Sequence, residues 1–315
     1  MAEMIKKATR ESFGEALCKL AETNNDIVVL DADLAAATKT GVFKKAYPDR
    51  FFDCGIAENN MINVAVGLSL SGKIPFASTF AMFAAGRSYE QIRNSVGYPH
   101  TNVKIGATHA GITVGEDGAT HQCNEDIALM RTIPGMTILN PADAVEARLA
   151  VEAAIKMQGP CYLRFGRMAV PVIFDKDYKF EIGRGVKLAD GTDVSLIATG
   201  IEVEQALAAR ELLAAEGISA SVVNIHTIKP LDEDLVVAEA QKTGAVVTCE
   251  EHSIIGGLGG AVAECLSAKC PTPVLRVGVE DTFGRSGPAK ELVSYFGLDA
   301  AAIAAKAKAA VALKK

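Results

Sequence analysis

The chain has 315 residues, of which 49% are hydrophobic and 22% charged, and its formal net charge is −6 at pH 7. This composition is typical of a globular protein with enough apolar residues for two domains, and it excludes a disordered or fibrous chain. The acidic balance, with its lysines scattered, argues against a nucleic-acid partner, and no apolar run is long enough to cross a membrane.

Apolar, strand-like runs alternate with amphipathic helical patterns along the first half of the chain. The predicted strands cover 27–31, 74–78, 103–107, 136–140 and 161–165. The predicted helices lie between them, at about 11–24, 58–71, 80–96 and 142–157. Such an alternation is typical of an α/β fold whose sheet is mainly parallel.

Residues 168–192 interrupt this alternation with prolines, glycines and charged residues. A second series follows, with strands near 193–198, 219–225, 245–250 and 273–277, and helices near 201–215, 232–242, 258–267, 286–296 and 299–312. We therefore expect two domains, each a mainly parallel sheet flanked by helices. The predicted limits are residues 1–175 for the first domain, 176–190 for a linker and 191–315 for the second domain.

The seven cysteines lie at irregular spacings and form no Cys-x-x-Cys pair. The sequence therefore predicts neither a zinc site nor a disulfide framework. The amino terminus shows no apolar segment of the kind found in export signals. We expect a cytoplasmic protein.

Glu58 stands at the start of a predicted helix, within the run Gly-Ile-Ala-Glu-Asn-Asn-Met at residues 55–61. One interpretation is a carboxylate that interacts favourably with the helix dipole. The other is a carboxylate held in apolar surroundings, where it relays a proton. The sequence pattern alone leaves both interpretations open.

A glycine-rich loop at residues 108–122 follows the strand predicted over 103–107 and carries His109, Asp117 and His121. The two histidines are not spaced four apart as on a zinc-binding helix, so a metal site is the less favoured interpretation. Histidine and aspartate at the carboxyl end of a parallel strand suit a polyhydroxylated or phosphorylated substrate.

Phe80 and Phe83 follow the strand predicted over 74–78, three residues apart. Two aromatic side chains in such a position are most simply part of a hydrophobic core. Because they fall at the same strand-end edge as Glu58 and the 108–122 loop, a stacked heteroaromatic ring is the alternative. The run Glu-Glu-His at residues 250–252 suggests no role from the sequence.

Taken together, these segments resemble the transketolase family of thiamine-diphosphate enzymes. The resemblance rests on Gly-Ile-Ala-Glu-Asn-Asn-Met, on Thr-His-x-x-Ile-x-x-Gly-Glu-Asp-Gly-x-Thr-His-Gln, and on Ala-Thr-Arg and Ala-Asp-Leu at residues 8–10 and 32–34. It covers nearly the whole chain, but only the pyrimidine-binding and C-terminal domains of a complete transketolase. The family's diphosphate and magnesium motif, a Gly-Asp-Gly followed by Asn, is missing from the 315 residues.

The resemblance implies a cofactor site made of Glu58, Phe83, Phe80 and Asp33. In the family, the glutamate hydrogen-bonds the aminopyrimidine ring of thiamine diphosphate, one phenylalanine stacks on that ring, and the other lines its pocket. Asp33 matches a position beside the cofactor. The Mg²⁺ ion that accompanies the diphosphate is then bound mainly by a partner subunit.

The resemblance also implies a substrate site, in which Arg10 and Arg167 bind the phosphate and His109, Asp117 and His121 contact hydroxyl groups or phosphate. Glu58, His109 and His121 are the implied catalytic residues. The implied partner is an N-terminal transketolase subunit with the diphosphate and magnesium motif, in a heterotetramer in which this chain also dimerises. The implied substrates are sugar phosphates, with those of the pentose phosphate pathway as the default.

The chain departs from the family pattern at three positions. Ala37 stands where a phosphate-binding serine is usual, and the sequence leaves open whether Thr38 replaces that serine. Gly86 stands where a tyrosine of the pyrimidine pocket is usual. The second phosphate-binding arginine is either Arg164 or Arg167, and the sequence favours Arg167.

The predicted function is the C-terminal subunit of a two-component transketolase, which transfers a two-carbon ketol unit between sugar phosphates. The alternatives are a subunit like 1-deoxyxylulose-5-phosphate synthase or like the beta subunit of a 2-oxo-acid dehydrogenase. The His-Asp-His loop argues against the dehydrogenase, and the fuller Gly-Glu-Asp-Gly segment favours transketolase over the synthase. A non-catalytic scaffold is disfavoured because Glu58 is intact.

Overall fold

Two β-sheets, one of seven strands and one of five, organise the chain, which the computed structural model describes from residue 5 to residue 314. The strands are β1 (Lys6–Ala8), β2 (Ile27–Asp31), β3 (Phe51–Asp53), β4 (Ile74–Phe80), β5 (Lys104–Thr108), β6 (Thr137–Leu139), β7 (Cys161–Arg164), β8 (Ala169–Pro171), β9 (Val186–Ala189), β10 (Val194–Ala198), β11 (Ala220–Asn224), β12 (Thr227–Lys229), β13 (Val246–Ser253) and β14 (Val274–Val279). The strands β1 and β8 form a separate antiparallel pair.

Twelve α-helices are described within residues 5–314. They are α1 (Thr9–Ala21), α2 (Ala35–Thr38), α3 (Gly41–Ala46), α4 (Glu58–Leu70), α5 (Tyr89–Gln91), α6 (Asp126–Arg131), α7 (Ala144–Lys156), α8 (Glu202–Ala215), α9 (Glu233–Thr243), α10 (Leu258–Lys269), α11 (Ala289–Tyr295) and α12 (Ala300–Ala312). Two π-helical segments, Met82–Arg87 and Ile92–Gly97, flank α5. The single helix predicted over 80–96 is therefore three short segments.

The seven-stranded sheet has the order β12-β6-β7-β5-β4-β2-β3, and all its pairs are parallel except β12 with β6. Every residue of β2 and of β5 is buried, as expected when helices cover both faces of a parallel sheet. On one face, α1 and α7 pack in a cluster that includes Phe13 and Phe76. On the other face, α4 packs through Met61 and Ile62.

The five-stranded sheet has the order β14-β13-β10-β11-β9, and only the β9–β11 pair is antiparallel. Successive residues of β10 point to opposite faces, as in any strand. Leu196 packs in the cluster that includes Val203 of α8, and Ile197 in the cluster that includes Val236 of α9. The predicted α/β fold, with mainly parallel sheets flanked by helices, is confirmed.

The second half of the chain also contributes a strand to the first sheet, because β12 pairs with β6. The strand β9 lies inside the range predicted as a linker and joins the second sheet. The sequence signalled neither strand. None of the helices described here combines the length and the apolar character needed to cross a lipid bilayer.

The carboxyl ends of the parallel strands β2, β4, β5 and β7 meet at one edge of the first sheet. The segments that follow these strands carry most of the residues predicted for the site. The start of α4 follows β3 at the same edge. This edge, with the β13 end of the second sheet beside it, is where the candidate site forms.

Gly106, in the central strand β5, leaves the room that Phe13 needs. A Cβ atom built at Gly106 would lie 2.4 Å from Cζ of Phe13, whose ring is buried and stacked on Phe165. We predict that Gly106→Ala lowers the free energy of unfolding by about 1–3 kcal/mol, as overpacking of a core does. Urea denaturation of the two proteins measures this difference in the free energy of unfolding.

Gly67 provides the matched control, because it lies within α4 and, apart from its chain neighbours and the nearby helix backbone, no atom lies within 4 Å of a Cβ built there. Gly67→Ala should leave the stability unchanged or raise it by up to about 1 kcal/mol, as expected for an exposed helical position. Equal effects of the two substitutions would contradict the packing argument.

Candidate active site

The carboxylate of Glu58 is buried at the first turn of α4. The residue is 2% exposed, and the same face of the helix buries Met61, Ile62 and Ala65. One nitrogen of Arg87, Nη1, donates to both carboxylate oxygens, at 3.0 and 2.9 Å. The buried charge therefore has a partner, which a charge in apolar surroundings requires.

Phe80, Phe83 and His109 form a stack beside this ion pair. The two phenyl rings are 5.7 Å apart and nearly parallel, and the imidazole of His109 lies 3.8 Å from the Phe80 ring. His121 meets the edge of Phe83 at 5.5 Å. The guanidinium carbon of Arg87 lies 4.5 Å from the centre of the Phe83 ring, within the range of a cation–π contact.

His109 is a neutral imidazole with a fixed tautomer. Its Nε2 lies 3.1 Å from Arg10 Nη1, and its Nδ1 lies 2.9 Å from the hydroxyl of Thr108. Because a guanidinium can only donate, Nε2 accepts and Nδ1 carries the hydrogen. Burial, followed by the charges of Arg10 and Arg167, lowers the pKa of His109 to about 3. The backbone of His109 is left-handed, with φ 56°.

Two arginines, Arg10 and Arg167, place their charges near His109. Arg10 Nη1 donates to the carbonyl of Ala37 at 2.6 Å, while its buried Nε has no protein partner within residues 5–314. Arg167 lies 3.5 Å from the carboxylate of Asp117 and donates to the carbonyl of Val114. Burial, followed by the charge of Arg167, lowers the pKa of Arg10. The two cations are thus close enough to repel each other.

Arg164 lies elsewhere in the structure. It is buried, its Nε donates to Asp126 at 2.8 Å, and its Nη2 donates to the carbonyl of Glu251 at 2.8 Å. Of the two arginines that the sequence left open, Arg167 is the one beside His109 and Asp117.

The segment after β2 settles the position of Thr38. Its hydroxyl and that of Thr40 donate to the buried carboxylate of Asp31, at 2.7 and 2.8 Å. Burial raises the pKa of Asp31 to about 6. Asp33 is exposed, has a left-handed backbone with φ 63°, and donates its amide to Asp53. Thr38 is therefore turned into the protein, where it supports the turn that carries Asp33.

A cavity of about 800 Å³ opens beside Phe83 and Arg87. The wall from the first half of the chain also includes Gln122 and Glu125, and the other wall is made of residues 281–284 and Ser253. Both halves of the chain thus line one cavity. Within residues 5–314, no group of three or more His, Cys, Asp or Glu side chains is suited to hold a metal ion.

The second half of the chain supports the 108–122 loop through Glu251, a residue to which the sequence assigned no role. Its Oε1 accepts a hydrogen bond from the amide of Thr113 at 2.7 Å. Its side chain fills the space beside Gly111, where a Cβ would lie 2.2 Å from Cδ of Glu251. Burial raises the pKa of Glu251. A glutamate next to the end of a predicted strand was the available signal in the sequence. Its partner could not be found from local patterns, because Thr113 is 138 residues away.

The neighbours of Glu251 also hold structure in place. Glu250 accepts from the amides of Leu258 and Gly259, at the start of α10. His252 accepts from the amide of Ala128 at 3.3 Å, in the first half of the chain. The run Glu-Glu-His thus caps one helix and joins the two halves beside the site.

Comparisons with known proteins agree with this architecture. The family model described as the transketolase pyrimidine binding domain matches residues 5–172, and that of the transketolase C-terminal domain matches residues 183–303. A putative transketolase C-terminal section from Methanocaldococcus jannaschii is 50% identical over 303 residues, which cover 95% of both chains. A 6-deoxy-6-sulfo-D-fructose transketolase subunit from a Clostridium species is 45% identical over 92% of this chain and 90% of that subunit.

A solved structure described as a split gene transketolase, inactive beta4 tetramer, superposes with a TM-score of 0.92 at 54% identity, covering 98% of this chain and 99% of that one. The chain belongs to the transketolase family. Within that family it corresponds to the C-terminal section of a split transketolase, the pyrimidine-binding domain followed by the C-terminal domain. Human transketolase is 37% identical, and the match covers 48% of its length.

The lowered pKa of His109 generates a prediction about acid stability. Below the ordinary value of 6.5, the unfolded chain binds a proton at His109 that the folded chain does not bind until pH falls to about 3. The free energy of unfolding therefore decreases as pH falls through this window, by up to about 1.4 kcal/mol per pH unit for this group. His109→Asn should make the pH profile shallower below 6.5.

His100 is an exposed histidine with a similar left-handed backbone, φ 55°. His100→Asn is therefore the matched control, and it should leave the slope below pH 6.5 close to that of the unsubstituted protein. Unfolding curves at a series of pH values measure both. A slope that His109→Asn does not change would contradict the burial of a neutral imidazole.

The support from Glu251 generates a second prediction. Glu251→Ala leaves the buried amide of Thr113 without its acceptor, which should cost about 1–3 kcal/mol of stability and speed hydrogen exchange at residues 109–122. Glu251→Gln keeps an acceptor oxygen and should retain most of the protection. The exposed Glu211 provides the control substitution, Glu211→Ala. Exchange in the loop that is the same for Glu251→Ala and Glu211→Ala would refute the supporting role.

Proposed function

We propose that this chain is the C-terminal subunit of a two-component transketolase, which transfers a two-carbon ketol unit from a ketose phosphate to an aldose phosphate with thiamine diphosphate. The observation that carries the proposal is that one guanidinium, Arg87, joins a buried carboxylate, Glu58, to the aromatic face of Phe83, and that Phe83 and Arg87 line the cavity. The cationic side chains of Arg10 and Arg167 lie near His109.

The residues present fit the aminopyrimidine half of the cofactor. A planar heteroaromatic ring can stack on Phe83 and share a hydrogen with the carboxylate of Glu58, while Phe80 closes the pocket behind. Asp33 is proposed to lie beside the cofactor. The diphosphate and Mg²⁺ need carboxylate or carbonyl oxygen ligands, and those would come mainly from the partner subunit.

When bound, thiamine diphosphate would supply the electron sink that breaking and forming the carbon–carbon bond requires. Glu58 would hold a proton at the pyrimidine ring nitrogen. Because Nε2 of His109 accepts, it would receive a hydrogen bond from a substrate hydroxyl once Arg10 turns to the anionic group. His121 and Asp117 would bond further hydroxyl groups and orient the sugar chain.

Arg10 and Arg167 would bind the anionic end of the sugar, for which a guanidinium fork is suited. Ala37 offers that anion no hydroxyl, and Thr38 is bonded to Asp31, so the two arginines carry most of its binding. Guanidinium groups can bind either a sulfonate or a phosphate. A sulfofructose and an apulose-4-phosphate transketolase subunit, the latter 39% identical, are among the relatives. We propose an anionic sugar as the substrate class.

The partner would be an N-terminal transketolase subunit with the diphosphate and magnesium motif, in a heterotetramer in which two copies of this chain meet. The similar solved structure is described as an inactive tetramer of beta subunits, which supports self-association of this kind of chain. Exposed apolar side chains near the start of α4, among them Ile56, are available for such a contact.

The test is an assay of the purified chain with thiamine diphosphate, Mg²⁺, xylulose 5-phosphate and ribose 5-phosphate, alone and with its N-terminal partner. We expect glyceraldehyde 3-phosphate to form only with both subunits, because the Gly-Asp-Gly motif for the diphosphate and Mg²⁺ is missing from the 315 residues. Turnover by the lone chain would overturn the two-component proposal.

In the assembled enzyme, Glu58→Gln should lower kcat at least about a hundredfold, about 2.7 kcal/mol in barrier, since the amide cannot hold the proton. Glu90→Gln, at an exposed position of α5, is the matched control and should retain full activity. A Glu58→Gln enzyme within about tenfold of the unsubstituted one would remove Glu58 from this role.

A further inference from the structure

Arg87 occupies the two surfaces that the proposed cofactor site offers to an aminopyrimidine. Its guanidinium lies over the Phe83 ring, with the carbon 4.5 Å from the ring centre. The same group donates to both oxygens of Glu58. No other side chain within residues 5–314 forms a salt bridge with Glu58.

A guanidinium resembles a protonated aminopyrimidine in the features that matter here. It is flat, delocalised and cationic, it stacks on aromatic faces, and it presents N–H donors to a carboxylate. Phe83 and Glu58 together would therefore hold either group by the same contacts. Because the ring face and the carboxylate are shared, the two groups compete.

We propose that Arg87 is a placeholder for the aminopyrimidine and a positioning residue for Glu58. Without cofactor it neutralises the buried carboxylate and keeps it directed at the Phe83 ring. When cofactor binds, the guanidinium leaves. This inference rests on the proposed function, since it takes thiamine diphosphate as the competitor.

The surroundings of Arg87 allow this movement. Its side chain is 49% exposed, while Glu58 is buried. It lies at the end of the π-helical segment Met82–Arg87, next to Gly86, where the terminal methyl of Met82 takes the space of a side chain. The cavity that Arg87 lines also contains two carboxylates, those of Glu125 and Asp281. A displaced guanidinium can therefore reach water and negative charge.

Replacement of Arg87 by the aminopyrimidine also keeps the buried carboxylate of Glu58 paired throughout. A buried carboxylate that loses its only partner is strongly destabilised, whereas one that exchanges partners is not. Arg87 thus lets the site form before the cofactor arrives, and it lowers the apparent affinity by the fraction of molecules in which it holds Glu58.

The first experiment measures thiamine diphosphate binding to the assembled two-subunit complex by titration calorimetry in the presence of Mg²⁺. We expect Arg87→Ala and Arg87→Met to tighten the dissociation constant by about threefold or more. Arg87→Met retains apolar contact with Phe83 without the charge, and it serves if Arg87→Ala folds poorly. Arg93→Ala removes an exposed arginine from the neighbouring π-helical segment and should leave the constant unchanged.

The second experiment uses the isolated chain in a double-mutant cycle. Arg87→Met should lower the thermal midpoint when residue 58 is Glu, because the buried charge loses its partner. In a Glu58→Gln background the same substitution should have a smaller effect. Equal effects in the two backgrounds would show that the pair is not coupled and would overturn the proposal.

The outcomes separate the two proposals. If the unsubstituted complex binds no thiamine diphosphate, the proposed function fails and this inference fails with it. If the unsubstituted complex binds and the Arg87 variants bind equally well or more weakly, the proposed function stands and Arg87 is not a placeholder.

Discussion

The need to neutralise one buried carboxylate organises this site. Glu58 is fixed at the start of α4 by the burial of Met61 and Ile62 below it, so its charge cannot turn out to water. An unpaired charge in that position would be costly, and the structure supplies a flat cation held over an aromatic ring. The chemistry proposed for the site follows from the same requirement, because a group that replaces this cation must also be flat and able to donate hydrogen bonds.

The charged side chains at the carboxyl ends of the strands form an anionic and a cationic region. Glu58 is paired with Arg87, while Arg10 lies beside His109 and the charge of Arg167 helps to lower the pKa of Arg10. His109 is a neutral ring beside these arginines, since burial and its cationic neighbours lower its pKa to about 3. The buried carboxylate of Glu58 therefore favours a cationic partner, and Arg10 and Arg167 favour an anionic one. The second domain holds this arrangement steady through Glu251 and the amide of Thr113.

Sequence patterns predicted the strands of both sheets well, because buried parallel strands appear as continuous apolar runs. The position of the site followed from topology, since residues after neighbouring parallel strands meet at one edge. The patterns missed β3, β9 and β12, which are short, and the partners of β9 and β12 lie far away in the chain. They also missed the pairing of Arg87 with Glu58 and that of Glu251 with Thr113. A contact between residues 29 or 138 positions apart leaves no local periodicity to detect.

The strand β12 makes the two domains interdependent in a way that their separate cores do not suggest. It carries residues from the second half of the chain to the outer edge of the first sheet, where it covers β6. A polypeptide severed between the domains would leave the backbone groups of β6 without their partner, and bare strand edges promote aggregation. The first sheet is therefore complete only when β12, nearly ninety positions downstream of β6, has been synthesised. Pairings between segments so far apart in the chain form slowly, so the β6–β12 pairing is expected to be a late step in folding of the pyrimidine-binding domain.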